Sequence, residues 1–142
     1  MYHKMSERTF VILKPSAISR QLVGEIVGRL ERKGLRLVQA KVKKISREEA
    51  ERLYAVHRGK PFYEDLIKTI TSARVVLMVW EGRSAVEVVR KLIGSTDPVK
   101  AEPGTVRGDY GLDITDNLIH ASDSPESYQA EHSIFFTESE LS

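Results

Sequence analysis

Six consecutive residues, Val75 to Trp80, carry neither a polar group nor a glycine, and no longer run of that kind occurs in the chain. A segment this short falls far below a membrane span, and its uniform apolarity reads as a strand buried on both faces. A second, nearly continuous apolar run, Thr9 to Leu13, has the same character and is ended by Lys14-Pro15. Two strands of this kind form the middle of a sheet whose faces must be covered by other elements.

The segments around them supply the cover. Leu22, Val23, Ile26, Val27 and Leu30 recur at helical spacing, and Gly34 closes that helix. Leu35 to Ile45 alternates with one phase slip, which predicts a strand carrying a bulge. Lys41, Lys43 and Lys44 are expected on its solvent side, where like charges discourage edge pairing; a phosphate track is the less favoured reading. Ser46 and Glu49 form a capping-box pair for a helix through about Val56. Pro61–Ile70 and Arg83–Ile93 read as further helices, Leu118–Ala121 as the last strand, and Pro125 to about His132 as the last helix. Between Gly94 and Asn117 periodicity is lost, and a structureless stretch that long is usually functional or disordered. The order predicts an α+β fold: a ferredoxin-like split βαβ sandwich with an antiparallel sheet covered by helices. Such a fold licenses no function by itself.

With 142 residues the chain forms one domain, 1–142, in which 1–6 are expected as a flexible lead-in and 94–116 as a long functional loop. Met5 is as plausible a start as Met1, and His3 is assigned nothing. The 22 basic residues nearly cancel the 20 acidic ones, so the net charge of +2 gives no argument for a nucleic-acid coat. There is no cysteine, which excludes disulfide and thiol chemistry. Without a signal-like apolar stretch near the start, a cytoplasmic protein with no membrane partner is the default expectation.

His120 is the leading candidate for chemistry. It follows a short apolar segment and directly precedes a helix start marked by Ser124, Pro125 and Glu126. A neutral imidazole holds a free nucleophilic lone pair at pH 7; the competing reading is a buried structural histidine. Lys14 lies at the carboxyl end of the first strand, where sheet residues emerge into clefts, although strand-end lysines are also commonplace. Arg90 borders an apolar helical stripe beside Val86 and Ile93, placed either to snorkel over the core edge or to meet a phosphate bidentately. Thr96 and Arg107 sit in the long loop. Tyr54 and Phe62 are core material or, for an exposed Phe62, a base-stacking platform. Glu131, seven residues after Ser124 on the same helix face, is placed to orient His120, and Ser122 to bridge the two. No GxxxxGK[ST] loop, HRD or DFG element, GxSxG elbow or metal-spaced histidine cluster occurs.

Taken together, Glu7-Arg8-Thr9-Phe10, Lys14-Pro15, Leu22 to Ile26, Lys60-Pro61-Phe62, Val79 to Gly82, Pro103 to Asp109 and Asn117 to Ser124 resemble the nucleoside diphosphate kinase pattern from Glu7 to about Glu140. The last two segments are the most specific. The resemblance implies reversible, ping-pong transfer of a terminal phosphoryl group between nucleoside tri- and diphosphates, with low base specificity. His120 would be phosphorylated, positioned by Glu131 and Ser122. Lys14 and Asn117 would hold the ribose hydroxyls, with Lys14 also facing the transferred phosphate. Tyr54, Arg90, Thr96 and Arg107 would surround the phosphates, and Phe62 would stack on the base. Mg2+ would arrive on the nucleotide, without a protein cage. A homo-oligomer is implied, a hexamer favoured over a tetramer, with the loop around Pro98 in subunit contact.

Three departures are visible. Ala121 stands where many members have glycine, Ser16-Ala17 where many have Asp-Gly, and His132 at a commonly apolar position. The rival readings are a non-enzymatic nucleotide- or RNA-binding module on the same fold, or an inactive family member retained as an assembly subunit. No RNP1-like aromatic pattern supports specific nucleic-acid binding, and retention of the polar set argues against the inactive subunit.

Overall fold

The computed structural model describes residues 6–142. Residues 1–5 of the expected lead-in lie outside the described residues, while Ser6 already opens the first strand. The strands are β1 (Ser6–Leu13), β2 (Arg36–Lys43), β3 (Val75–Arg83) and β4 (Ile119–Ala121). The helices are α1 (Pro15–Ser19), α2 (Val23–Lys33), α3 (Arg47–Leu53), α4 (Tyr63–Thr71), α5 (Ala85–Ile93), α6 (Val106–Tyr110) and α7 (Pro125–Phe135). The strands form one sheet in the order β2-β3-β1-β4, and every neighbouring pair is antiparallel. This is the expected α+β sandwich, with the two apolar runs as its central strands.

Alternation along the central strands divides the core in two. Phe10, Ile12, Val75, Leu77 and Val79 face a layer made by α3, α4 and α7. Val11, Leu13, Val76, Met78 and Trp80 face α1, α2, α5 and α6. Each fully buried Ile or Leu on these faces contributes about 1.5–3 kcal/mol relative to exposure. Local signals agree with the packing. Gly34 ends α2 in the left-handed region at φ 111°, and Ser46 and Glu49 exchange both bonds of the capping box at the start of α3. Ser124 Oγ accepts from Ser127 N and so caps α7.

Several boundaries differ from expectation. The slip in β2 is a bulge at Leu37/Gln39, as its pattern predicts. However, Val42 remains 59% exposed on β2, which is an edge strand of the sheet. Lys41 folds back over the Phe136 ring and pairs with Glu140 at 3.1 Å instead of standing free in solvent. Lys43 likewise pairs with Glu49. Arg83 belongs to β3 and not to the following helix. Ser84 turns the chain at φ 52°, and the Glu7 carboxylate then accepts from Val86 N at the head of α5. The loop from Gly94 to Asn117 contains α6, and α1 follows Lys14 directly. His132 fits without an apolar side chain: its ring stacks on Tyr128 at 4.2 Å, and Nδ1 donates to the Tyr128 carbonyl. No helix among the described residues is long and apolar enough to cross a membrane.

Candidate functional site

β4 pairs with β1 so that His120 lies opposite Ile12, which turns the imidazole toward the Phe10 face of the sheet. Just before β4, Leu118 is held at φ 76°, and Ile119 N bonds back to Asn117 O at 2.9 Å. This is a positive-φ γ-turn, a conformation that a leucine adopts only when its surroundings enforce it. Leu118 is fully buried, and Lys14 N donates to its carbonyl at 2.8 Å. Arg107 clasps the same turn. Its guanidinium donates to the carbonyls of Asn117, Ile119 and Gly94, leaving two of its five N–H groups for a ligand.

The imidazole is fixed from behind. His120 Nε2 meets Glu131 Oε1 at 2.8 Å, and the buried Ser122 hydroxyl donates to the same oxygen at 3.0 Å. An ionised carboxylate only accepts, so Nε2 carries the proton and Nδ1 keeps its lone pair. Tyr54 stands perpendicular to the ring at 5.9 Å between centroids. Its hydroxyl is buried without a hydrogen-bond partner among the described residues. Burial, reinforced by the Glu131 charge, pushes the Tyr54 pKa well up and keeps the phenol protonated.

The cations converge on this ring from different elements. Lys14, only 4% exposed, donates to Asn117 Oδ1 at 2.8 Å and to Thr115 O at 3.1 Å. Burial, and then the charge of Arg107, lower its pKa to about 8 against the opposing pull of Asp116 and Asp113. Asp116 is itself held by the Ser16 hydroxyl at 2.6 Å, so serine at this departure position has a structural partner. Arg107 is pushed down to about 10 by burial and by Arg90, and remains cationic at neutral pH. Arg90 lies at the edge of α5 and donates to Ala121 O at 3.3 Å. Asn117 Nδ2 completes the frame by donating to Thr96 O.

Nine of the ten site residues expected from sequence line one cavity of about 820 Å³: Lys14, Tyr54, Phe62, Arg90, Thr96, Arg107, Asn117, His120 and Glu131. The tenth, Ser122, lies behind it on Glu131. Phe62 is 43% exposed, with His57 at 5.3 Å on one side and the Lys60 ammonium 5.9 Å from the ring centroid. The cavity wall also includes Arg52, His57, Leu66, Ile114 and Asp123, which sequence reasoning did not single out. Ile114, at 57% exposure, sits in the loop outside any periodic pattern, so no signal marks it. His57 has its pKa lowered by burial and then by the neighbouring Lys60 charge.

A fixed imidazole, three cations and an exposed aromatic ring on one cavity wall are the equipment that phosphoryl transfer to and from a nucleotide requires. Comparison with known proteins agrees. The family model for nucleoside diphosphate kinase matches residues 7–141. A nucleoside diphosphate kinase of Hyperthermus butylicus is 60% identical over 135 residues, covering 95% of each chain. One from Thermoplasma acidophilum is 56% identical, covering 96% of this chain and 93% of the other. The structure of a halophilic nucleoside diphosphate kinase from Halobacterium salinarum in complex with CDP superposes with a TM-score of 0.93 at 48% identity, covering 96% and 91% of the two chains. The chain belongs to the nucleoside diphosphate kinase family. It is a phosphotransferase that moves the terminal phosphoryl group between nucleotides in two half-reactions through a phosphohistidine.

Proposed function

We propose that His120 is the phosphorylated histidine and that its Nδ1 is the attacking atom. The observation that carries this reading is the Nε2 contact with Glu131, which commits one ring nitrogen as donor and leaves the other as nucleophile. The Nδ1 lone pair forms the N–P bond as the bond to the β-phosphate oxygen breaks, and the nucleoside diphosphate leaves. A second diphosphate reverses the step. Glu131 offsets the positive charge that develops on the ring, and Ser122 holds the carboxylate in place.

Lys14, Arg90 and Arg107 neutralise the phosphate oxygens, and Tyr54 and Thr96 line the same region. Lys14 and Asn117, already bonded to each other, face the ribose. Phe62 and Ile114, both exposed on the cavity wall, hold the base by its flat surface. Stacking is tolerant of base identity, so specificity for the base is low. CDP in the Halobacterium salinarum relative supports a nucleotide as the occupant.

Mg2+ fits the site as a companion of the phosphates. Among the described residues only Asp123 and Glu131 supply carboxylates to the cavity wall; Glu131 is engaged by His120 and Ser122, and Asp123 by Ser127. That donor set is too small and too occupied to cage a metal. When bound, the ion adds charge neutralisation on the phosphate oxygens. The protein acts in the cytoplasm, where its nucleotide substrates are. The open edge of β2 with Val42, and the exposed Val99 beside Pro98, offer surfaces for a homo-oligomer, a hexamer before a tetramer.

Incubation with ATP radiolabelled in its γ-phosphate tests the assignment. The wild-type chain should acquire acid-labile label that ADP removes. His120→Ala should acquire none while still binding ADP. Label on His120→Ala would displace His120 from the mechanism, and nucleotide binding without any label on the wild type would favour the binding-module reading.

A further inference from the structure

The segment Pro103 to Asp109 stands out in the sequence, yet only Arg107 within it reaches the cavity. The other residues build a bracket around α6. Thr105 Oγ1 accepts from Gly108 N and caps the helix, while Thr105 also donates to Glu102 O. Asp109 Oδ1 accepts from Gly104 N at 2.8 Å, tying the end of α6 back to its own entry. The second oxygen of that carboxylate leaves the loop altogether and meets Arg29 Nη2 at 2.8 Å, on α2.

Arg29 is the hub of this outer contact. Its Nε donates to Glu25 Oε2 at 2.8 Å, Nη1 to Gly104 O at 3.2 Å, and its guanidinium lies 5.2 Å from the Tyr110 ring centroid. Tyr110 OH in turn donates to Glu25 Oε2 at 3.2 Å. One side chain, 19% exposed and outside the cavity wall, therefore grips both ends of α6 through three groups, Gly104 at its entry and Asp109 and Tyr110 at its end. A planar fork suits this, since Nε, Nη1 and Nη2 each reach a different acceptor, whereas the three donors of an ammonium share a single nitrogen. Arg107, two residues from Asp109, points from the inner side of the same single turn onto the Leu118 γ-turn that precedes His120.

We propose that Arg29 is a positioning residue for phosphoryl transfer, holding α6 through Asp109 and Gly104 so that Arg107 is aimed at the phosphates. This rests on the reading of Arg107 given above. A five-residue helix has little stability of its own, so its orientation is set by what grips it. α2 supplies that grip from the far side of the loop.

The test is a double-mutant cycle read by the rate at which ATP phosphorylates His120, with thermal unfolding recorded for each variant. Arg29→Met should lower the rate by about tenfold, the scale of one misaligned charge-assisted hydrogen bond. In an Arg107→Ala background the same substitution should produce no further fall. Its effect on Tm should be the same in both backgrounds. Arg29→Lys, which keeps the charge without the fork, should fall between wild type and Arg29→Met, and completes the cycle should Arg29→Met fail to fold. An equal loss of rate with and without Arg107 would overturn the proposal and leave Arg29 a purely structural residue. A normal rate for Arg107→Ala alone would instead remove Arg107 from the site, and this inference with it.

Discussion

His120 and Glu131 meet through a single 2.8 Å contact between Nε2 and Oε1, and that contact selects which ring nitrogen is free to react. A carboxylate lifted onto β4 from α7 fixes both the tautomer and the tilt of the ring. Glu131→Ala should therefore lower the rate of His120 phosphorylation by about 100-fold, within the span found for lost acid–base partners. ADP affinity should change little. Stopped-flow measurement of the first half-reaction, with calorimetric titration of ADP, checks both. An unchanged rate would mean that the ring is oriented by other contacts.

Phe62 makes a different kind of contribution. Its ring touches His57 and Lys60 and leaves a large exposed surface, so the binding energy it offers is stacking without hydrogen-bond readout. Phe62→Ala should weaken ADP and CDP by similar factors, corresponding to about 1–3 kcal/mol each. Isothermal titration with the two nucleotides decides it; loss confined to one of them would reveal a base-reading group elsewhere.

The central strands, the long helices and their caps were legible because each repeats a pattern over two or more turns or alternations. α1 and α6 were not. Each is five residues long, and its buried apolar content is one residue, Ala17 or Val106, so no periodicity exists to detect. The start of α5 was misplaced because the Val86 N–H in its first turn is met by Glu7, 79 residues away in the chain. Site residues were legible as a motif, residue type by residue type. The contacts among them, Lys14 with Asn117 or Arg107 with the Leu118 turn, are made by tertiary packing and have no local signature. Ile114 belongs to the same wall and was missed for that reason.

Gly108 tests how tightly α6 is confined. A Cβ added there would fall 1.9 Å from the Glu102 carbonyl oxygen, a backbone atom that cannot swing aside. Gly108→Ala should destabilise the protein by about 3 kcal/mol, the upper range of overpacking, with a fall in Tm of about 10 °C. The displaced turn carries Arg107, so phosphoryl transfer should fall even at temperatures where the variant is fully folded. Circular dichroism melts and activity at a low temperature separate the two effects; an unchanged Tm would mean that the loop yields easily.

Lys14 sets the alkaline behaviour. Its pKa in the folded chain, about 8, lies below the ordinary 10.5 because burial and Arg107 disfavour the ammonium. Between these two values the unfolded chain holds a proton that the folded chain has largely released, so the stability contributed by this group rises with pH across the window. Under the proposed role of Lys14, phosphate binding runs the other way, since it needs the charged form. ADP affinity should therefore weaken by about tenfold or more as pH rises through 8, the loss of one charge-assisted contact. Lys14→Met should be weak throughout and show no such limb. Asp116, held by Ser16 and opposing the downward shift, gives the sharper test. In Asp116→Asn the same loss of affinity should begin at lower pH. Binding near pH 8 should also take up a proton, because a bound phosphate favours the ammonium. Calorimetry in buffers of different ionisation enthalpy measures that uptake, and its absence in the wild type would place Lys14 away from the phosphates.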